Sequence, residues 1–102
     1  MNDLTKFHID LAVQSFAYVA RQLASSPSAH YEHIATEAEK HRQALRLMQR
    51  DVIEMTRQKL RDREMSEKAC QRIRKATTKA IEQAQDAITR IAAQYAPQRL
   101  AA

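Results

Sequence analysis

Apolar and polar positions follow each other along the chain with the period of α-helices, not that of β-strands. Two mostly apolar series advance by steps of three or four residues, the spacing of a coiled-coil seam. The second series is out of phase with the first, so we expect a turn across residues 61–66. Ser66 is the predicted N-cap of the next helix, and one continuous helical rod is the alternative. The two series are Tyr31, Ile34, Ala38, His41, Leu45, Met48, Val52 and Met55, and then Ile73, Thr77, Ile81, Ala84, Ile88, Ile91 and Tyr95.

Pro27 separates these helices from an N-terminal one, because proline disfavours helix at the residue before it. We predict helices at about 3–24, 28–62 and 66–95, a tail over 96–102, and a single helical domain over 1–102. Their lengths are roughly 33, 52 and 45 Å, so the first cannot cover the other two. The predicted fold class is all-α, an elongated three-helix bundle built on a long antiparallel coiled-coil-like hairpin. Its uncovered seam predicts a homodimer.

The first predicted helix is apolar on two faces. A helix of this kind needs two partners, and the hairpin supplies one. The other partner is more of the same hairpin, a second copy of the chain, or a different protein. One face is Ile9, Ala12, Val13, Phe16, Val19, Ala20 and Leu23. The other, called the second stripe below, is Leu4, Phe7, Leu11 and Tyr18, the predicted partner or dimer interface.

Catalysis has little support in the sequence. The chain contains no glycine, which excludes the glycine-dependent dinucleotide turn, phosphate loop and nucleophile elbow. Cys70 is the single cysteine, and no base lies beside it in the sequence. We therefore predict a protein that is not an enzyme and has no cofactor.

Positive charge is concentrated in the third predicted helix. The chain carries a formal net charge of +5, and from Ser66 onward seven Lys and Arg face three Asp and Glu. A row of cations on one helical face can neutralise nucleic-acid phosphates or meet an acidic protein, although a solvated face is the simpler interpretation. The row, called the basic stripe below, is Lys68, Arg72, Lys75 and Lys79, and a second row on the helix before it is Arg42, Arg46 and Arg50.

Histidines at the start of the second helix raise the question of a metal site. His30, His33, Glu37 and His41 recur at steps of three and four residues, and imidazole with carboxylate suits zinc or iron. A carboxylate-bridged bundle needs such pairs on more than one helix, and no other helix offers them. We predict no metal.

The predicted location is the cytoplasm. The mean hydropathy is −0.61, and no apolar run is long enough to span a bilayer. The first residues carry Asp3 and Asp10, unlike a secretory signal.

These observations leave three functional hypotheses. The first is a small non-enzymatic helical protein that binds another protein, as an adaptor, chaperone, inhibitor or regulator. The alternative is nucleic-acid binding through the basic stripe. In its Ala- and Gln-rich, short and helical composition the whole chain also resembles the phasins of storage granules, without a shared motif, and that resemblance implies an amphipathic coat on a hydrophobic surface.

Overall fold

The computed structural model describes residues 2–25 and 31–96, and within these ranges the chain forms three α-helices. They are α1 (Asp3–Ala24), α2 (Tyr31–Arg61) and α3 (Glu67–Gln94). The described residues contain no strand, which confirms the all-α, three-helix prediction. The molecule measures 59 × 26 × 17 Å and is elongated as expected. The predicted start of the second helix at 28 and most of the predicted tail lie outside the described residues.

Helices α2 and α3 run antiparallel to each other. The Arg42 guanidinium donates to the Thr89 hydroxyl at 3.0 Å, and the Gln49 amide donates to the Thr78 hydroxyl at 3.0 Å. The residue later in α2 therefore contacts the residue earlier in α3, as antiparallel helices require.

Helix α1 packs against both and is antiparallel to α2. Thr5, in the first turn of α1, lines a groove with Val52, whereas the Phe16 ring lies 5.6 Å from that of His41, which is earlier in α2.

The main core lies along the axis where the three helices meet. It is built from aliphatic residues and one aromatic ring, Phe16, which is completely buried. The apolar spacing of each helix places its core residues on the inward face, and every residue of the two predicted seams is buried or half-buried. The core residues are Ile9, Ala12, Phe16, Ala20, Ile34, Ala38, Leu45, Ala80, Ile81, Ala84, Ile88 and Ala92.

Two helices begin at side-chain caps. The Asn2 carboxamide oxygen accepts a hydrogen bond from the Thr5 backbone N–H at 2.8 Å. The Ser66 hydroxyl accepts one from the Ala69 backbone N–H at 3.1 Å. Such caps satisfy backbone donors that the first turn leaves free, and Ser66 has the role that the sequence predicts.

A turn between Arg61 and Glu67 separates α2 from α3, so the two do not form one rod. The backbone N–H groups of Arg63 and Glu64 donate back to the carbonyls of Leu60 (3.2 Å) and Lys59 (2.9 Å). This pair of bonds is a Schellman motif, which requires a left-handed residue and usually has glycine there. Arg63 occupies that position with φ of 58°.

A smaller buried group joins α2 to α3 near this turn. Thr56 is its centre: its hydroxyl donates to the Ile53 carbonyl at 2.8 Å and accepts from the Arg74 Nε at 2.9 Å. The Cys70 thiol donates to the Thr56 carbonyl at 3.4 Å. Polar side chains thus link this end of the helix pair.

Candidate functional site

The second stripe faces away from both α2 and α3. Leu4, Phe7, Leu11 and Tyr18 are 64%, 58%, 44% and 60% exposed. On the opposite side of α1, Ile9 and Phe16 are buried in the core. The interpretation in which the hairpin wraps further and covers the second stripe is therefore wrong: the groove between two helices accepts one face of a third helix and leaves its far side open.

The exposed apolar surface is not where the helix lengths predict it. The short first helix was expected to leave the hairpin seam uncovered, yet Val52 and Thr77 are buried, and Met55 and Ile73 are half-buried. Outside α1, the large apolar side chains exposed in the described residues are Leu47 and Leu60, both on α2. The largest exposed group is thus on α1 itself.

The second stripe belongs to a longer regular pattern. Its members lie on α1 at steps of three and four residues when the exposed Gln14 and Arg21 are included. A strict series of this kind is the narrow seam of a helix that pairs with one other helix. The complete series is Leu4, Phe7, Leu11, Gln14, Tyr18 and Arg21.

Polar groups border the second stripe on both sides. Lys6 and Asp10 form an ion pair at 2.9 Å on the side nearer α3, where they line a groove with Ala84. On the other side the His8 ring lies edge-on to Phe7, with ring centres 5.7 Å apart. Asp3 lies at the N-terminal end of α1 and Arg21 in its last turn. The arrangement is an apolar strip with a polar rim, as at protein interfaces.

The basic stripe is on the outward face of α3. All four of its residues are exposed, and none forms an ion pair with a described residue. The nearby Arg74 is turned inward to Thr56. A shallow groove beside the stripe is lined by Gln71, Arg74, Lys75, Thr78, Lys79 and Glu82, so it presents no aromatic ring on which a base stacks.

The second row of arginines is partly neutralised. Glu39 accepts a hydrogen bond from Arg46 at 2.6 Å and lies 3.7 Å from Arg42. The bond from Arg46 is the main cause of the lowered pKa of the Glu39 carboxyl. No hydrogen bond or ion pair joins this row to the basic stripe within the described residues.

The histidine series does not assemble into a metal site in the described part of the chain. His30 lies outside it. The His41 Nδ1 lies 2.7 Å from the Glu37 carbonyl oxygen, and its ring packs 5.6 Å from that of Phe16. No group of three or more His, Cys, Asp or Glu is arranged to hold a metal ion among the described residues.

Comparisons with known proteins do not assign a function. No known protein family, no curated protein and no solved structure matches this chain. Among the described residues, none of the helices has the length and apolar character that crossing a membrane requires. The exposed surfaces of α1 and α3 are therefore the basis for a functional assignment.

Proposed function

We propose that this is a small non-enzymatic helical protein that acts by binding another polypeptide through the second stripe. The observation that supports it most is the 44–64% exposure of the four large apolar side chains on one face of α1. They present roughly 400 Å² of apolar surface, the size of the largest apolar patch on a typical monomer, and such patches are often functional. An adaptor, chaperone, inhibitor or regulator works through a surface of this kind.

The shape of the second stripe favours a helical partner. Its residues form a single line about 20 Å long from Leu4 to Tyr18, at 1.5 Å per residue. Side chains in such a line insert between those of a facing helix. A flat or extended partner would contact only part of it.

Two reactive side chains have structural partners, which supports the non-enzymatic part of the proposal. The Cys70 thiol is buried against the Thr56 carbonyl, and buried thiols of this kind are usually unreactive. The His41 ring is engaged by the Glu37 carbonyl and by Phe16. A lone reduced cysteine also fits the cytoplasmic location that we include in the proposal.

Affinity capture with two matched leucine variants tests this function. Leu11→Asp places a charge in the second stripe, while Leu47→Asp makes the same change at an equally exposed leucine on α2, 46% against 44% exposed. We expect wild-type and Leu47→Asp baits to retain the same protein from native lysate and Leu11→Asp to lose it, since a buried carboxylate without a partner opposes association. Equal retention by all three baits contradicts the proposal.

Nucleic-acid binding by the basic stripe is the second candidate. It is supported by four exposed cations, none of which has an ion-pair partner among the residues that the structure describes. It predicts binding to mixed DNA and RNA that weakens steeply as salt rises from about 50 mM. Lys75→Glu reduces the affinity and its salt slope, while Arg90→Glu, further along α3, has a smaller effect. Absence of binding at about 50 mM salt removes this candidate.

A coat on a hydrophobic surface is less well supported. Among the described residues, most of the exposed large apolar side chains are grouped on α1, and the others are Leu47 and Leu60, which lie apart from each other on α2. An extended hydrophobic surface requires apolar faces on several helices at once. The exposed apolar patch on α1 is one helix long, so its size suits a single partner helix better than an extended hydrophobic surface.

A further inference from the structure

We propose that the helix that packs against the second stripe is α1 of a second copy of this chain, running antiparallel, so that the protein is a homodimer. This inference rests on the proposed function and names its partner. It follows from the order of the residues in the α1 series, the charges at the two ends of that series, and the size of the patch.

The α1 series has the same spacing in both directions. Its steps are three, four, three, four and three residues. A two-fold axis between Leu11 and Gln14 therefore places every position opposite another member of the series, as a self-complementary interface requires. The facing pairs are Leu4 with Arg21, Phe7 with Tyr18, and Leu11 with Gln14, each formed twice.

These pairs match in size and chemistry. Phe7 meets Tyr18, and two such aromatic pairs flank the centre of the interface. Leu11 packs on the aliphatic part of Gln14, whose amide stays at the edge. The stem of Arg21 covers Leu4, as long basic side chains cover apolar neighbours elsewhere. No large apolar member of the series is left unpaired.

Charge selects the antiparallel direction. Asp3 is in the first turn of α1 and Arg21 in the last, so antiparallel packing brings each Asp3 beside the Arg21 of the other copy. A parallel pair instead sets Asp3 against Asp3 and Arg21 against Arg21. The helix dipoles favour the antiparallel arrangement too. Asp10 is already paired with Lys6 within its own chain.

The area is that of a weak but specific dimer. Two copies of the second stripe bury roughly 800 Å² of apolar surface, and their polar rims raise the total to about 1,000 Å², near the lower limit for specific interfaces. We expect a dissociation constant on the order of micromolar.

Cysteine cross-linking tests both the partner and the direction. In the antiparallel dimer Leu4 faces Arg21 of the other copy, while the two Leu4 positions are roughly 26 Å apart, beyond the reach of a disulfide. Under mild oxidation, Leu4→Cys mixed with Arg21→Cys should give the mixed dimer, and Leu4→Cys alone should give little. Leu47→Cys is the control for random collisions and for the buried Cys70.

Each alternative outcome is distinct. Self-linking of Leu4→Cys at the rate of the mixed pair overturns the antiparallel direction. Absence of cross-linking, with wild-type chain monomeric up to about 100 µM, overturns the homodimer. In that case, capture of a foreign protein that Leu11→Asp loses leaves the proposed function intact, and equal capture by the variants rejects it as well.

Discussion

Two buried threonines show how differently one residue type behaves inside this bundle. Thr56 is completely buried, and its hydroxyl both donates and accepts within the described residues. Thr77 is only 1% exposed, and its hydroxyl has no hydrogen-bond partner there. A buried hydroxyl without a partner loses its hydration without compensation.

The valine variants should therefore change stability in opposite directions. Thr77→Val removes an unpaired hydroxyl and should raise the free energy of unfolding by up to about 1 kcal/mol. Thr56→Val removes the acceptor of a charged Arg74 donor and should lower it by about 1–3 kcal/mol. Urea unfolding followed by circular dichroism measures both. Equal effects of the two substitutions would contradict the hydrogen bonding described here.

At the scale of elements, the apolar period alone is sufficient to predict three helices. The phase change between the two seams also indicates a turn across residues 61–66, because one straight helix cannot bury both series on a single side. How α2 terminates could not be predicted. Glycine and asparagine are the usual left-handed residues, and neither occurs there. Arg63 adopts that conformation instead, and the local backbone hydrogen bonds of Arg63 and Glu64 close the turn.

Replacing Arg63 by glycine should stabilise the turn. A non-glycine residue in the left-handed region costs roughly 1–2 kcal/mol. Glycine avoids this cost, but part of the gain in stability is lost because glycine gives up more conformational entropy on folding. We expect Arg63→Gly to raise the free energy of unfolding by about 0.5–1 kcal/mol. Thermal unfolding of a matched variant, Arg61→Gly, is the control: it removes the same charge from the last helical position and should be destabilising.

The two apolar faces of α1 could be predicted from the sequence, but which of them is buried and which is exposed could not. Projection of the apolar residues separates Phe16 from the second stripe, yet whether a hairpin wraps a helix on one side or two depends on helix packing, which the projection does not contain. Projection at about 100° per residue sets Gln14 and Arg21 beside the second stripe, not in it. The regular spacing of three and four residues that joins them to the second stripe is a separate signal. Polar members of a seam are found from the spacing of all positions.

At the scale of the whole molecule, the packing of the three helices explains both the elongated shape and the exposed second stripe on α1. The helix pair α2 and α3, roughly 46 and 42 Å long, accounts for most of the 59 Å dimension, and α1 fills the groove between them with one face. The sequence predicted a dimer because the hairpin would be left bare; the structure places the bare apolar surface on α1. The homodimer proposed here therefore uses the second stripe, which the sequence predicts as a partner or dimer interface, and not the hairpin seam that the helix lengths suggest.

Sedimentation equilibrium of the wild-type chain, Leu11→Asp and Leu47→Asp tests the central claim most directly. Leu11 and Leu47 both lie outside the core, so both variants should keep the helical circular dichroism of the wild type. At about 100 µM, well above the expected dissociation constant, wild type and Leu47→Asp should sediment as two chains of 11.7 kDa and Leu11→Asp as one. A single-chain mass for all three, or a dimer that Leu11→Asp leaves intact, would contradict the account.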